Sequence, residues 1–94
     1  MVNRAAQASD VIWRRIGEEV VVIKDDGLST HVLNKTAAFI WETCNSGHSV
    51  EEITSKVCEC FEVSSEHART DVIEIIDKFI QAGIMNRIEE TAGS

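Results

Sequence analysis

The apolar residues of this chain change their spacing once. Before residue 34 they come in short runs dominated by Val, Ile and Trp, and after it they recur every three or four positions. A chain patterned in this way can form strands first and helices second, which restricts it to an α+β layout with helices packed on a sheet. Val11 to Ile16 and Glu18 to Lys24 are the first two runs, with Gly17 between them at turn distance, and they predict a β-hairpin. Asp25-Asp26-Gly27 is a strong turn signal, because Gly tolerates positive φ and Asp bonds its own backbone; Ser29 to Leu33 then reads as a third strand.

The helical half is punctuated as clearly. Asn34 suits an N-cap, and Ala37, Ile40, Trp41 and Cys44 follow at helical spacing until Gly47, so a helix is expected over 35–45. Ser49 with Glu52 makes a capping box, and Val50, Ile53, Val57, Cys60 and Phe61 share a face, which predicts a second helix over 50–61. Ser64 or Ser65 caps a third, carrying Ala68, Val72, Ile75, Ile76, Phe79 and Ile80 and stopped by Gly83. Ile84 to Ile88 reads as a short extended tail. The expected architecture is a three-stranded antiparallel sheet followed by three helices, in a winged helix-turn-helix-like arrangement. Residues 1–9 and 90–94 carry no periodicity and are expected to be disordered, leaving one domain at 10–89.

With 94 residues, folding buries only about 60–70% of the surface that the unfolded chain exposes, a thin core with little room for an enclosed catalytic cleft. Nine Lys and Arg against 16 Asp and Glu give a formal charge of −7, the wrong sign for nucleic acid or an anionic membrane. Three cysteines, an odd number without disulfide-framework spacing, fit a reducing cytoplasm; no signal-peptide core and no stretch of 18 apolar residues is present.

Catalytic and metal-binding signals are poor. His31, His48 and His67 fall on a strand, a loop and a helix start, none paired with a Cys at zinc-ligand spacing, and they are expected in solvated or capping roles. Cys58 and Cys60 lie about 200° apart on a helix, too divergent to close a local disulfide or hold one metal. Cys44 and Cys60 are expected as small core residues and Cys58 as exposed. Glu51 and Glu52 sit in a helix first turn, where the macrodipole favours negative charge. No enzymatic activity, cofactor or metal site is expected.

Two features point to binding instead. The third helix has a wider apolar arc than one core contact requires: Ala68, Val72, Ile75 and Phe79 face the core, while Ile76, Ile80 and Ile73 fall progressively further round, bordered by Arg69 and Asp77. That flank either lines a groove or is covered by the tail around Ile84. Thr30, His31 and Val32 lie in a strand which, at a sheet edge, offers free N–H and C=O groups to another chain, with neighbouring pockets giving selectivity. Burying two or three guest side chains at ~1.5–3 kcal/mol each, less association costs, leaves affinities near micromolar.

Leu33-Asn34, Thr36-Ala37 and Ile40-Trp41, then Gly47, then Ser49-Val50-Glu51-Glu52-Ile53, and finally Asp71-Val72, Phe79 and Gly83-Ile84 together resemble the linked blocks of the PqqD family. The resemblance spans about residues 10 to 88, with Ser46-Gly47 where the family commonly has Asp-Gly. It implies a non-catalytic domain that binds the leader segment of a ribosomally made precursor peptide as an added strand and delivers it to a maturation enzyme, for instance a radical SAM enzyme, a cyclodehydratase or a lasso-peptide protease. Carried over by position, the groove would be formed by Thr30, His31, Val32 and Leu33 on one side and Arg69, Ile73, Ile76 and Ile80 on the other. A homodimer stays open. The alternative is a DNA-binding winged helix of a regulator, which the charge opposes: the third helix offers Arg69 and Lys78 amid Glu66, Asp71, Glu74 and Asp77.

Overall fold

The structure, a computed structural model, describes residues 4–25, 27 and 29–88. Its elements are β1 (Arg4–Gln7), β2 (Val11–Ile16), β3 (Glu19–Lys24), β4 (Thr30–Leu33), α1 (Lys35–Asn45), α2 (Val50–Phe61), α3 (Ser65–Gln81) and β5 (Met85–Ile88). The expected three-stranded sheet and three helices are present, in an α+β, winged helix-turn-helix-like arrangement. Two additional strands, β1 and β5, make a separate sheet of their own.

Each helix begins at a side-chain cap that the sequence announces. The Asn34 side chain accepts from the Ala37 N–H, Ser49 and Glu52 close a reciprocal capping box, and Ser64 accepts from the His67 N–H. Gly83, at φ +79°, turns the chain out of α3, and the Ile84 N–H donates back to the Phe79 carbonyl, so the last turn is satisfied before β5 starts. Of the predicted turn at residues 25 to 27, Asp26 lies outside the described residues; the Gly27 N–H donates to the Lys24 carbonyl at 2.9 Å.

β2, β3 and β4 form an antiparallel meander in that order, so β2 and β4 are its two margins. Val20 and Val22 of β3, wholly buried, pair with Leu33 and His31 of β4, which puts these side chains on the face covered by the helices. Thr30 and Val32 project from the opposite face. The core behind the sheet is centred on Trp41, fully buried, with Trp13 edge-on at 6.2 Å and Phe79 edge-on at 5.5 Å between ring centroids. Ile40, Ile53, Val72, Ile84 and Met85 fill the space around it.

The disorder expected for residues 1–9 is corrected at Arg4–Gln7, which pairs antiparallel with β5 from Arg4↔Ile88 to Gln7↔Met85. Ala8 continues the contact by donating to the Ile84 carbonyl, and the Gln7 N–H donates to Asn45 Oδ1 at the end of α1. Ala5 and Ala8 are buried, small enough to let the backbone approach closely, and such residues give no strand signal in a sequence. Residues 1–3 and 89–94, also expected to be disordered, lie outside the described residues.

Two cysteine assignments are corrected as well. The buried positions of α2 are Ile53, Thr54 and Val57, with Cys58 and Phe61 packed against the core from one side of that stripe; Cys60 falls on the other side and is exposed.

Candidate functional site

The open margin of the meander lies beside α3, and the two enclose a groove of about 570 Å³. All four residues of β4, Thr30, His31, Val32 and Leu33, line one wall. Ile75, Lys78 and Phe79 of α3, with Ala82 just past its end, line the other, and Ile84, itself buried, also contributes. Asn34, Thr36 and Ala37 border it where α1 begins.

The register decides which backbone groups of β4 are available. Lys24 donates to the Ser29 carbonyl at 3.1 Å, and these two residues continue the Val20↔Leu33 and Val22↔His31 pairing without a break. In an antiparallel ladder, residues that exchange bonds with the neighbouring strand alternate with residues whose N–H and C=O point away from it. Ser29, His31 and Leu33 therefore bond toward β3, whereas Thr30 and Val32 direct both groups at the groove. Antiparallel order also fixes the sense of the opposite wall. Lys24 Nζ lies against Gly83, just beyond α3, and Lys24 pairs beside Ser29, so the end of α3 is next to the start of β4 and Ile75 is near its end.

The four α3 residues expected at the groove, Arg69, Ile73, Ile76 and Ile80, do not line it. Ile76 is 6% exposed and belongs to the core stripe Ala68, Val72, Ile76 and Phe79. Rotating about 100° per residue from that stripe puts Arg69, Ile73 and Ile80 on one flank and Ile75, Lys78 and Ala82 on the other. The first flank turns toward α2, where Arg69 pairs with Glu51 at 3.6 Å; Ile73 stays 40% exposed. The groove uses the second. The apolar arc of α3 is wider than its buried stripe, but its two flanks look alike in sequence, and packing against α2 and β5 distinguishes them.

His31 departs from the solvated role expected of it. It faces inward from β4, and its Nε2 is enclosed without a hydrogen-bond partner. His48 and His67 sit where local partners are at hand: His48 Nδ1 is 3.3 Å from the Thr43 carbonyl oxygen and His67 Nε2 is 3.3 Å from Asp71 Oδ2. Among the described residues no three His, Cys, Asp or Glu side chains converge as a metal site, and no helix is long and apolar enough to cross a membrane. A second concavity, of about 340 Å³ between α1 and α2, is bordered by Phe39, Glu42, Lys56 and Cys60.

The family model for coenzyme PQQ synthesis protein D (PqqD) matches residues 19–85, from the first residue of β3 to the first of β5. The chain belongs to the PqqD family. Two solved structures share the fold of this PqqD-family domain. One is TbiB1 in complex with the TbiA(beta) leader peptide, at a TM-score of 0.83 and 18% identity, covering 90% of this chain and 99% of that one. The other is a lasso peptide synthetase B1 complexed with the leader peptide, at a TM-score of 0.82 and 18% identity over 88% and 98% of the two chains. No curated protein matches the chain.

Proposed function

We propose that this PqqD-family domain captures the leader segment of a ribosomally made precursor peptide by strand addition along β4, and presents it to a maturation enzyme such as a radical SAM enzyme, a cyclodehydratase or a lasso-peptide protease. The observation that carries this reading is the margin of β4, whose Thr30 and Val32 backbone groups face a groove walled by Ile75 and Phe79. Two further points support it: the family match, and two similar structures that both hold leader peptides. The role is binding, not catalysis. Three free thiols fit action in the cytoplasm.

In this reading the guest lies beside Thr30 to Leu33 and takes its main-chain bonds from Thr30 and Val32, while side chains at alternate positions enter between His31, Leu33, Ile75 and Phe79. Main-chain pairing supplies a sequence-tolerant share of affinity and the groove supplies selectivity. The test is a titration of fluorescently labelled leader peptides encoded beside the gene. Wild-type protein should bind one of them at micromolar concentration or tighter, and Ile75→Asp, a half-buried groove position, should weaken it at least tenfold while circular dichroism stays unchanged. Equal binding by the variant, or salt-sensitive binding to duplex DNA in place of peptide, would refute the proposal.

A further inference from the structure

The groove has a charge opposite to that of the protein. The chain carries a formal −7, with 16 carboxylate residues against nine Lys and Arg, yet among the described residues no Asp or Glu lines the groove and the one Lys or Arg that does is Lys78. Lys78 is exposed and, among the described residues, makes no ion pair, whereas the neighbouring Asp77 is held by Arg87 at 2.9 Å and Asp71 stands beside His67. A second positive element meets the groove at its other border. The N-terminus of α1, an 11-residue helix, opens there at Asn34, Thr36 and Ala37, and its first turn contains no acidic residue to offset the dipole.

Resting on the peptide-capture reading, we propose that the groove selects a guest carrying an acidic side chain two positions from a bulky apolar one, the carboxylate meeting Lys78 and the apolar group resting on Ile75 and Phe79. The spacing follows from the two walls. Ile75 to Ala82 advances about 10 Å along α3, equal to roughly three residues of an extended guest, so two side chains on one face, at i and i+2, fit this length. Ile75 and Lys78 stand about 4.5 Å apart along the axis, with the buried Phe79 behind them and Lys78 exposed at the rim, which gives one of those positions to Ile75 and the other to the ammonium. The surplus of acids elsewhere does not forbid an acidic guest: Glu74, one turn before Lys78, falls further round α3 from the flank of Ile75 and Ala82, and exposed charges more than about 8–10 Å away are largely screened at physiological salt. It makes the local cation more decisive, because an uncharged guest would gain nothing from it.

Random 12-residue peptides displayed on phage would be selected in parallel against the wild-type domain and Lys78→Glu. Wild-type selections should converge on Asp or Glu two residues from a large apolar residue. Lys78→Glu should keep the apolar preference and exchange the acid for Lys or Arg. Replacing the acid by Lys in a selected peptide should weaken wild-type binding at least tenfold, and Lys78→Glu should recover most of that loss. The same peptides emerging from both selections would overturn the acid preference and leave capture at the groove standing. Selected peptides whose binding is indifferent to Ile75→Asp would remove the capture reading, and this proposal with it.

Discussion

Trp41 meets Phe79 edge to face, ring centroids 5.5 Å apart and planes at 88°, so the residue at the centre of the core also buttresses the helical wall of the groove. Trp41 is fully buried, and its removal would leave a void that neither Trp13 nor Phe79 fills. Trp41→Ala is expected to destabilise the protein by about 3–5 kcal/mol, the range for deleting a large buried aromatic. Urea unfolding monitored by far-ultraviolet circular dichroism measures it; a loss under about 1 kcal/mol would contradict this account of the core.

The alternation of bonded and free backbone groups along β4 predicts opposite outcomes for two prolines. Val32→Pro removes an N–H aimed at the groove and leaves the pairing with β3 intact, so stability should change little while peptide binding drops at least tenfold. His31→Pro removes a donor of the β3 ladder and should lower stability by about 3 kcal/mol. Thermal melts and peptide titrations of both variants decide the matter, and equal effects on stability would show the phase to be wrong.

Glu52 accepts from the Ser49 backbone N–H, and this bond, more than any other cause, lowers its pKa below the ordinary carboxylate value. A group whose pKa is depressed by folding lends stability that is complete above its unfolded pKa and lost as pH falls through the folded one. Glu52→Gln should therefore lower stability slightly at neutral pH and change it little below the carboxylate range, which flattens the acid side of the profile. Ser49→Ala, which removes the reciprocal cap from the Glu52 N–H, should cost about 1 kcal/mol at neutral pH. Melting temperatures between pH 3 and pH 7 compare the two.

Burial pushes the Cys44 thiol up to about 12, whereas Cys60 is exposed and Cys58 half-buried. At pH 8 in native buffer, iodoacetamide should label Cys60 first and leave Cys44 unmodified until the protein unfolds. Peptide mapping by mass spectrometry reads the order. Early labelling of Cys44 would mean that α1 opens in the native state.

Truncation through Gln7 should lower stability and speed amide exchange at Asn86 and Arg87, because these residues of β5 have β1 as their partner. Unchanged exchange there would remove β1 from the fold.

What could be read from the chain depended on whether the signal was local. Asn34, Ser49 and Ser64 mark helix starts through bonds to backbone groups three residues on, so the sequence contains both partners of each cap. The meander was equally legible, since Val20 and Val22 are β-branched residues between a Gly turn and an Asp-Gly turn. The strand at Arg4–Gln7 was not, because it exists through partners some 80 residues away and through alanines selected for size. The orientation of α3 was half legible. Its periodicity shows that an apolar stripe exists, but Ile75 and Ile76 are adjacent in sequence and chemically identical; which of them reaches the groove is settled by contacts with α2, Ile84 and Met85.

Pairing β1 with β5 brings Arg4 opposite Ile88, so the chain enters and leaves the domain at one point. A larger protein could carry the module at its front, at its back or spliced into a surface loop, because Arg4 and Ile88 stand side by side at one corner of the domain.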